Sequence, residues 1–156
     1  RRSPQGCSQL SSCKVGASAV MTKLRSSLAA SVSRKPSRDE AITGRFYEML
    51  VANGGALDGR SVLSAGTLDQ LTRERIHGPD KVLPFEISWA AGLMRNDGLK
   101  VFGPNAALGH YGWGGSMAMA DPSRRLSAAY VMTRQSPHLI GDPRPKRLLD
   151  ALYAAF

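Results

Sequence analysis

Residues 109–116 carry the side chains of this chain that are best suited to chemistry. The segment reads GHYGWGGS, so it places His110, Tyr111 and Trp113 among four glycines, and Asp121 follows closely. An imidazole can accept or donate a proton near neutral pH. Glycines allow a backbone to approach a bound group closely. The segment therefore predicts a strand edge that lines a substrate cleft.

Two helices and a hairpin are predicted ahead of this segment. Apolar residues recur at helical spacing over residues 38–53, and glycines follow them. The Asp-Gly pair at residues 58–59 predicts a tight hairpin. Ser64 is a predicted N-cap for a second helix that runs to about residue 75, and the Gly-Pro-Asp sequence at residues 78–80 predicts a break.

The second half of the chain predicts strands and a last helix. Residues 85–94, 108–120 and 126–133 have the composition of strands, and turn sequences separate them. Pro145 is predicted to open a helix with an apolar face made by Leu148, Leu149, Leu152, Tyr153 and Phe156. Short connections between strands favour an antiparallel sheet. The fold class is therefore α+β, with an antiparallel sheet flanked by helices.

The first 37 residues differ from the rest in composition. The net charge of the chain is +9, and residues 1–40 contain eight Lys or Arg against two acidic residues. We expect residues 1–37 to be a basic, poorly ordered arm with a weak helix over residues 17–32, and residues 38–156 to form one domain. A basic arm can bind nucleic acid or an anionic surface. This arm lacks the aromatic residues that stack on bases, so nucleic acid is not the expected partner.

Several classes of protein are disfavoured by composition. No stretch approaches the roughly 18 apolar residues of a membrane-spanning helix, and residues 1–40 lack the apolar core of a secretory signal. Cys7 and Cys13 make neither a metal quartet nor a disulfide framework, and the three histidines are not spaced as zinc ligands. We therefore expect no metal and no cofactor. Because the chain begins with Arg1, we expect a fragment or a processed product.

Residues 38–156 resemble the class C β-lactamase-like serine hydrolases, which include penicillin-binding DD-peptidases and family VIII esterases and lipases. The motifs that carry the resemblance lie at residues 53–59 (NGGALDG), 89–93 (WAAGL), 109–116, 120–122 (ADP) and 129–132 (AYVM). The resemblance implies the C-terminal part of the β-lactamase/DD-peptidase-like fold. It also implies hydrolysis of a small ester or amide substrate through an acyl-enzyme.

The resemblance implies roles for residues of the glycine-rich segment. His110, Tyr111 and Gly112 match the third active-site motif of the family, so His110 is expected in the cleft. The backbone N–H of Trp113 would be an oxyanion-hole donor, and Tyr111, Gly112 and Gly114 would contact substrate. Lactamases usually carry Lys at the His110 position, so the variant resembles esterases more closely. The alternative is a hydrogen-bonded histidine beside a glycine bulge, with Tyr111 and Trp113 in the core.

The other two motifs of the family are Ser-x-x-Lys and Tyr-x-Asn. The chain contains no Tyr-x-Asn, and its one Ser-x-x-Lys joins Ser11 to Lys14. With 17 serines and six lysines among 156 residues, one such match is close to the chance expectation. No apolar helix follows to bury the pair and lower the pKa of the lysine. We therefore expect the chain to be inactive or impaired on its own.

The other two histidines and Asp142 are predicted to lie in loops or turns. His77 is predicted on a surface loop, and His138 on a loop that alternatively lines the mouth of the cleft. Asp142 is predicted to form a surface or turn pair with Arg144.

The competing functional hypothesis is a non-catalytic interaction protein whose basic arm binds a partner or nucleic acid.

Overall fold

The computed structural model describes residues 17–23, 29–31, 38–52, 56–104 and 106–155. Within these residues an eight-stranded antiparallel sheet carries three helices. The helices are α1 (Arg38–Val51), α2 (Ala65–Thr72) and α3 (Pro143–Ala155). The strands of the sheet are β1 (Ala17–Lys23), β2 (Ala29–Ser31), β5 (Ile76–Pro79), β6 (Glu86–Trp89), β7 (Met94–Arg95), β8 (Leu108–Tyr111), β9 (Met117–Asp121) and β10 (Leu126–Met132). The predicted α+β class and antiparallel sheet are confirmed.

The strand order in the sheet is β2-β1-β10-β9-β8-β7-β6-β5, and a separate hairpin pairs β3 (Ala56–Leu57) with β4 (Arg60–Ser61). Strands β5 to β10 therefore follow one another in space as they do along the chain. Short turns can make such connections, because antiparallel neighbours start where the previous strand ends. None of the helices in the described part of the chain has the length and apolar character needed to cross a membrane.

Strand β9 lies in the middle of the core and is buried along its whole length. Met117 and Met119 pack in one apolar cluster with Leu149 and Leu152 of α3. The alanines between and beyond them, at positions 118 and 120, pack in a second cluster with the side chains of α1. Because successive strand residues point to opposite faces, the Met-Ala alternation places α1 and α3 on opposite sides of the sheet.

Local predictions for turns and caps are confirmed. Asp58 and Gly59 have φ values of 50° and 73°, as a tight two-residue hairpin turn requires. The Ser64 side chain accepts a hydrogen bond from the Thr67 N–H at 3.0 Å and caps α2. The second helix ends at Thr72, short of the predicted residue 75. The final helix begins at Pro143, two residues before the predicted start.

Three predictions of secondary structure are wrong. The weak helix over residues 17–32 is replaced by β1 and β2, because β10 offers β1 a backbone partner at each of its seven residues. The strand over residues 108–120 is two strands, β8 and β9, which pair antiparallel on either side of the glycine-rich turn. The strand over residues 85–94 is a hairpin, β6 and β7, reversed near Gly92 at a φ of 75°.

The described part of the predicted arm thus contains two strands of the main sheet. Residues 1–16, 24–28 and 32–37 lie outside the described residues, and so do Cys7, Cys13, Ser11 and Lys14. The boundary at residue 37 between arm and domain stays a prediction.

A buried carboxylate joins the last helix to the turn after β9. Asp121 is fully buried, and its carboxylate accepts hydrogen bonds from the Ser123 hydroxyl at 2.6 Å and the Arg124 N–H at 3.1 Å. The Tyr153 hydroxyl of α3 donates to the other oxygen at 2.8 Å. Burial and the neighbouring carboxylate raise the pKa of Tyr153 well above its usual value. Tyr153 therefore stays a neutral donor that fixes α3 to the sheet.

We predict that Tyr153→Phe lowers the free energy of unfolding by about 2 kcal/mol, because it removes a hydrogen bond to a buried charge. Urea unfolding of the chain at neutral pH measures the change. The matched control is Tyr47→Phe, whose hydroxyl has no hydrogen-bond partner among the described residues. It should change the free energy by less than about 0.5 kcal/mol. Equal effects of the two substitutions would contradict the role given to the Tyr153 hydroxyl.

Candidate active site

A pocket of about 380 Å³ lies between α1 and the ends of β8, β9 and β10. Its walls come from both layers: Thr43, Tyr47, His110, Tyr111, Gly112, Ser116, Met117, Ala118, Tyr130, Val131 and Met132. The pocket therefore holds His110, Tyr111 and Gly112, three of the residues that the sequence singles out, whereas Trp113 and Gly114 are not among its lining residues.

Strand register places neighbouring side chains of β8 on opposite faces of the sheet. His110 pairs with Ala118, which packs on the α1 side of the sheet, whereas Tyr111 pairs with Met117 on the α3 side. His110 is exposed and Tyr111 is buried. The two adjacent residues therefore serve different faces, as strand alternation requires.

The His110 ring is fixed in one tautomer. Its Nδ1 lies 2.7 Å from the backbone carbonyl of Tyr111. A carbonyl oxygen only accepts hydrogen bonds, so Nδ1 carries the proton and Nε2 has the free lone pair in the neutral ring. The Trp89 ring lies beside it, with ring centroids 5.7 Å apart. His110 is thus oriented so that Nε2 can accept a proton or a hydrogen bond.

Tyr111 holds β8 from the core side. Its ring stacks on Phe102 with centroids 5.3 Å apart, and its hydroxyl donates to the Val101 carbonyl at 3.1 Å. The residue is only 5% exposed, and burial raises the pKa of its hydroxyl well above the usual value. The ring therefore stabilises the strand that carries His110, and a direct contact between Tyr111 and substrate stays a prediction.

The loop after β8 presents the Trp113 N–H. The Gly112 N–H donates to the Ser116 carbonyl at 2.9 Å, and the Gly115 N–H donates to the Gly112 carbonyl at 3.1 Å, which closes a tight turn. No acceptor for the Trp113 N–H is found within the described ranges of the chain. The indole is 74% exposed, so it is not a core aromatic residue. An N–H without an acceptor in the protein is what an oxyanion-hole donor requires.

Asp142 and Arg144 lie beneath this loop. Asp142 does pair with Arg144, two residues later, but it is 1% exposed, so the surface alternative of the prediction is wrong for this carboxylate. Arg144 Nη2 donates a hydrogen bond to the Asp142 carboxylate at 2.7 Å. The hydrogen bonds from Arg144 and from Ser136 hold the pKa of Asp142 well below its usual range. Asp142 Oδ1 also accepts from the Arg144 N–H at 2.8 Å and caps α3. The Asp142-Pro143 sequence indicates this cap, because proline is favoured at the first position of a helix and aspartate at the N-cap before it.

The remaining histidines lie outside the pocket. His77 is exposed, as predicted, but on β5, between Glu74 at 3.6 Å and Glu86 at 3.4 Å. His138 is also exposed, and its backbone carbonyl accepts from the Gly114 N–H at 3.2 Å. Nearby, a second open pocket of about 360 Å³ is lined by Trp113, Gly114, Gln135 and Ser136. No cluster of three His, Cys, Asp or Glu suited to a metal occurs among the residues that the structure describes.

The chain is similar in sequence and in fold to known proteins. The sequence model of the Beta-lactamase family matches residues 29–153. A penicillin-binding protein homologue from Caulobacter crescentus is 51% identical, with a TM-score of 0.70 over 73% of this chain and 31% of its own. A family VIII carboxylesterase is 36% identical, with a TM-score of 0.68 over the same shares of the two chains. EstA from Arthrobacter nitroguajacolicus Rue61a is 25% identical, with a TM-score of 0.57 over 72% of this chain and 30% of its own. No curated protein sequence matches the chain.

The antiparallel sheet and its helices thus have the fold of β-lactamases and penicillin-binding proteins. The chain belongs to the beta-lactamase family of serine hydrolases. It spans about 31% of the length of the penicillin-binding protein homologue and of the carboxylesterase.

We predict that Gly115→Ala destabilises the chain by about 2 kcal/mol or more, through a strained backbone and a steric clash. The φ of Gly115 is 108°, and a Cβ there would overlap the Asp142 carboxylate and the Arg144 guanidinium. In contrast, a Cβ at Gly66 in α2 would meet only the Ser64 Oγ, at 3.9 Å. Gly66→Ala should therefore be neutral or stabilising by up to about 1 kcal/mol. Thermal unfolding of both variants measures the difference, and similar effects would contradict the packing described for Gly115.

We predict that Asp142→Asn lowers the free energy of unfolding at neutral pH by about 2 kcal/mol, because Arg144 loses a buried partner. The pKa of Asp142 is lowered by folding, so its contribution is complete above the usual carboxyl value of 3.8 and is lost as pH falls below that value. The difference between wild type and variant should therefore shrink in acid. Urea unfolding at pH ~7 and pH ~3 tests this.

The control for the acid test is Asp150→Asn. Asp150 forms an exposed ion pair with Lys146 on the same helix, at 2.7 Å. Removing it should change stability by less than about 0.5 kcal/mol at either pH. A difference for Asp142→Asn that stays constant from neutral to acid pH would contradict the buried ion pair.

Proposed function

We propose that residues 38–156 supply part of the acyl-transfer site of an esterase-type serine hydrolase acting on a small ester or amide. The observation that carries this proposal is the His110–Trp113 arrangement. His110 has Nε2 free on the wall of the pocket, and three residues later the Trp113 N–H has no acceptor within the described part of the chain. A proton acceptor and an oxyanion donor are the two groups that acyl transfer needs outside the nucleophile itself.

In the proposed reaction a serine hydroxyl attacks the carbonyl carbon of the substrate and its proton passes to a base. The negative charge that develops on the carbonyl oxygen is stabilised by the Trp113 N–H and a second backbone N–H from the segment that carries the nucleophile. One such donor stabilises the transition state by about 3–4 kcal/mol. Nε2 of His110 accepts a hydrogen bond from a hydroxyl in the cleft and so helps to direct the proton. Collapse of the tetrahedral intermediate breaks the bond from the carbonyl carbon to the alcohol or amine, which leaves with the proton from the base and gives the acyl-enzyme. Water then hydrolyses the acyl-enzyme and releases the acid.

An ester substrate is favoured over a β-lactam by the residue at position 110. The chain has histidine at the position where β-lactamases usually carry lysine. One protein of similar structure is a family VIII carboxylesterase. A neutral imidazole with a fixed tautomer accepts a hydrogen bond, whereas a lysine ammonium only donates. The protonation chemistry at this position therefore differs from that of the lysine-bearing sites.

We further propose that these 156 residues do not turn over substrate alone. They contain no Tyr-x-Asn, and the Ser11–Lys14 pair matches at the chance level. Ser116 is a serine on the pocket wall, but it lies in the glycine turn, where its carbonyl is bound by the Gly112 N–H. The nucleophile and its base are therefore expected from a segment that covers the α1 side of the pocket.

Covalent labelling with a fluorophosphonate probe, mapped by mass spectrometry, tests the proposal. The chain alone should show no adduct. A hybrid in which residues 38–156 replace the matching part of the family VIII carboxylesterase should carry a single adduct on the serine of the carboxylesterase portion. It should also hydrolyse a p-nitrophenyl ester. An adduct on Ser11 or Ser116 of the isolated chain would contradict the proposal.

We predict that His110→Ala in this hybrid lowers kcat by about 100-fold, since it removes a proton-handling group from the cleft. His77→Ala is the matched control, because His77 is exposed and paired only with glutamates among the described residues. Steady-state kinetics of the two variants compare them directly. A hybrid whose activity is equally insensitive to both substitutions would contradict the role of His110.

A further inference from the structure

The glycine turn that presents the Trp113 N–H rests on the first turn of α3. Arg144 Nη2 donates to the Gly114 carbonyl at 3.0 Å, and Nη1 of the same guanidinium donates to the Arg134 carbonyl at 2.6 Å. The guanidinium of Arg144 therefore joins the loop after β8 to the start of the segment after β10. A planar guanidinium can make several such bonds at fixed angles.

Asp142 holds that guanidinium in place. Its carboxylate accepts from Arg144 Nη2 at 2.7 Å and from Nε at 3.1 Å, and from the Ser136 hydroxyl at 2.5 Å. The carboxylate is 1% exposed, so solvent does not compete for these bonds. Both groups lie so close under Gly115 that a side chain there would overlap them. The turn has little space in which to move toward α3.

The segment after β10 restrains the same glycine from the side. The Gly114 N–H donates to the His138 carbonyl at 3.2 Å, and the Gly114 carbonyl accepts from the Ser136 N–H at 2.9 Å. With Arg144, these bonds satisfy both polar groups of Gly114. Glycines at φ values of 101° and 108° would otherwise have wide conformational freedom.

The geometry of the peptide bond fixes the direction in which the Trp113 N–H points. The Gly112 carbonyl and the Trp113 N–H belong to one peptide unit, and no peptide bond in the described residues is cis. In a trans peptide the C=O and N–H point in opposite directions. The Gly112 carbonyl points inward to the Gly115 N–H at 3.1 Å, so the Trp113 N–H must point out of the turn.

We infer that Arg144, oriented by Asp142, is a positioning residue that fixes the direction of the Trp113 N–H and thereby sets the rate of acyl transfer. This inference rests on the proposed function, because it is the oxyanion role of Trp113 that makes the direction matter. An oxyanion donor is effective only when it already points at the developing charge. Loss of the guanidinium fork frees the glycine turn without removing the donor, so the effect falls on kcat more than on KM.

The first test measures amide exchange in the 156-residue chain by nuclear magnetic resonance. Arg144→Gln should accelerate exchange of the Gly114 and Gly115 amides by at least about 10-fold, because local opening of the turn becomes easier. Arg144→Lys, which keeps the charge but not the fork, should do nearly the same. Arg147→Gln is the matched control, since it removes an exposed arginine from the same helix. Unchanged exchange in both Arg144 variants would overturn the inference.

The second test uses the esterase hybrid described above. Arg144→Gln and Arg144→Lys should lower kcat by about 10- to 100-fold and change KM by less than about threefold, whereas Arg147→Gln should leave both unchanged. A rise in KM at constant kcat would overturn the inference, because it would indicate a substrate contact in place of positioning. An inactive wild-type hybrid would contradict the proposed function instead, and the amide exchange would then still decide whether Arg144 orders the turn.

If Arg144→Gln does not fold, Ser136→Ala provides a milder variant. It removes one hydrogen bond from Asp142 and leaves the guanidinium in place. Its effect on Gly114 exchange and on kcat should have the same sign as that of Arg144→Lys and be smaller. A faster exchange at Gly114 with an unchanged kcat would overturn the link between the turn and catalysis.

Discussion

Two-sided burial of β9 is the constraint on which the rest of the structure depends. A strand buried on both faces must offer apolar or small side chains at every position. Here methionines face α3 and alanines face α1. The alanines leave room for α1 to lie close to the sheet. Both neighbours of β9 therefore have a fixed register, because a slip of one residue would exchange the methionine and alanine faces.

The site inherits its geometry from that register. His110 pairs with Ala118 and so faces the α1 side, while Tyr111 pairs with Met117 and anchors β8 in the core. The adjacent turn is built of glycines and has no rigidity of its own. Its shape comes from the buried Asp142 and the Arg144 fork beneath it. A strand with a fixed register thus holds His110, and a turn that contacts a buried ion pair holds the Trp113 N–H.

Membership of the beta-lactamase family and the content of the pocket agree with each other. The chain spans about 31% of the length of two similar proteins, and the pocket contains His110 of the proposed acyl-transfer site but not Trp113. Preorganised donors and acceptors can exist without the nucleophile, since strand register and buried hydrogen bonds position them. This is why loop order and catalysis can be tested separately in this protein.

The amino-acid sequence alone predicts the turns, caps and helices that form through contacts between residues close together in the chain. These are the Asp58-Gly59 turn, the Ser64 cap, the helix over most of residues 38–53 and the glycine-rich motif. Tertiary structure decided the rest. Residues 17–23 form a strand because β10 offers hydrogen-bond partners that are distant in sequence. Asp142 is buried because Arg144, Ser136 and the glycine turn surround it. From sequence alone a charged residue is predicted to lie on the surface, because burial of an unpaired charge is costly. A packed partner offsets that cost, and no local sequence pattern shows where the partner will lie.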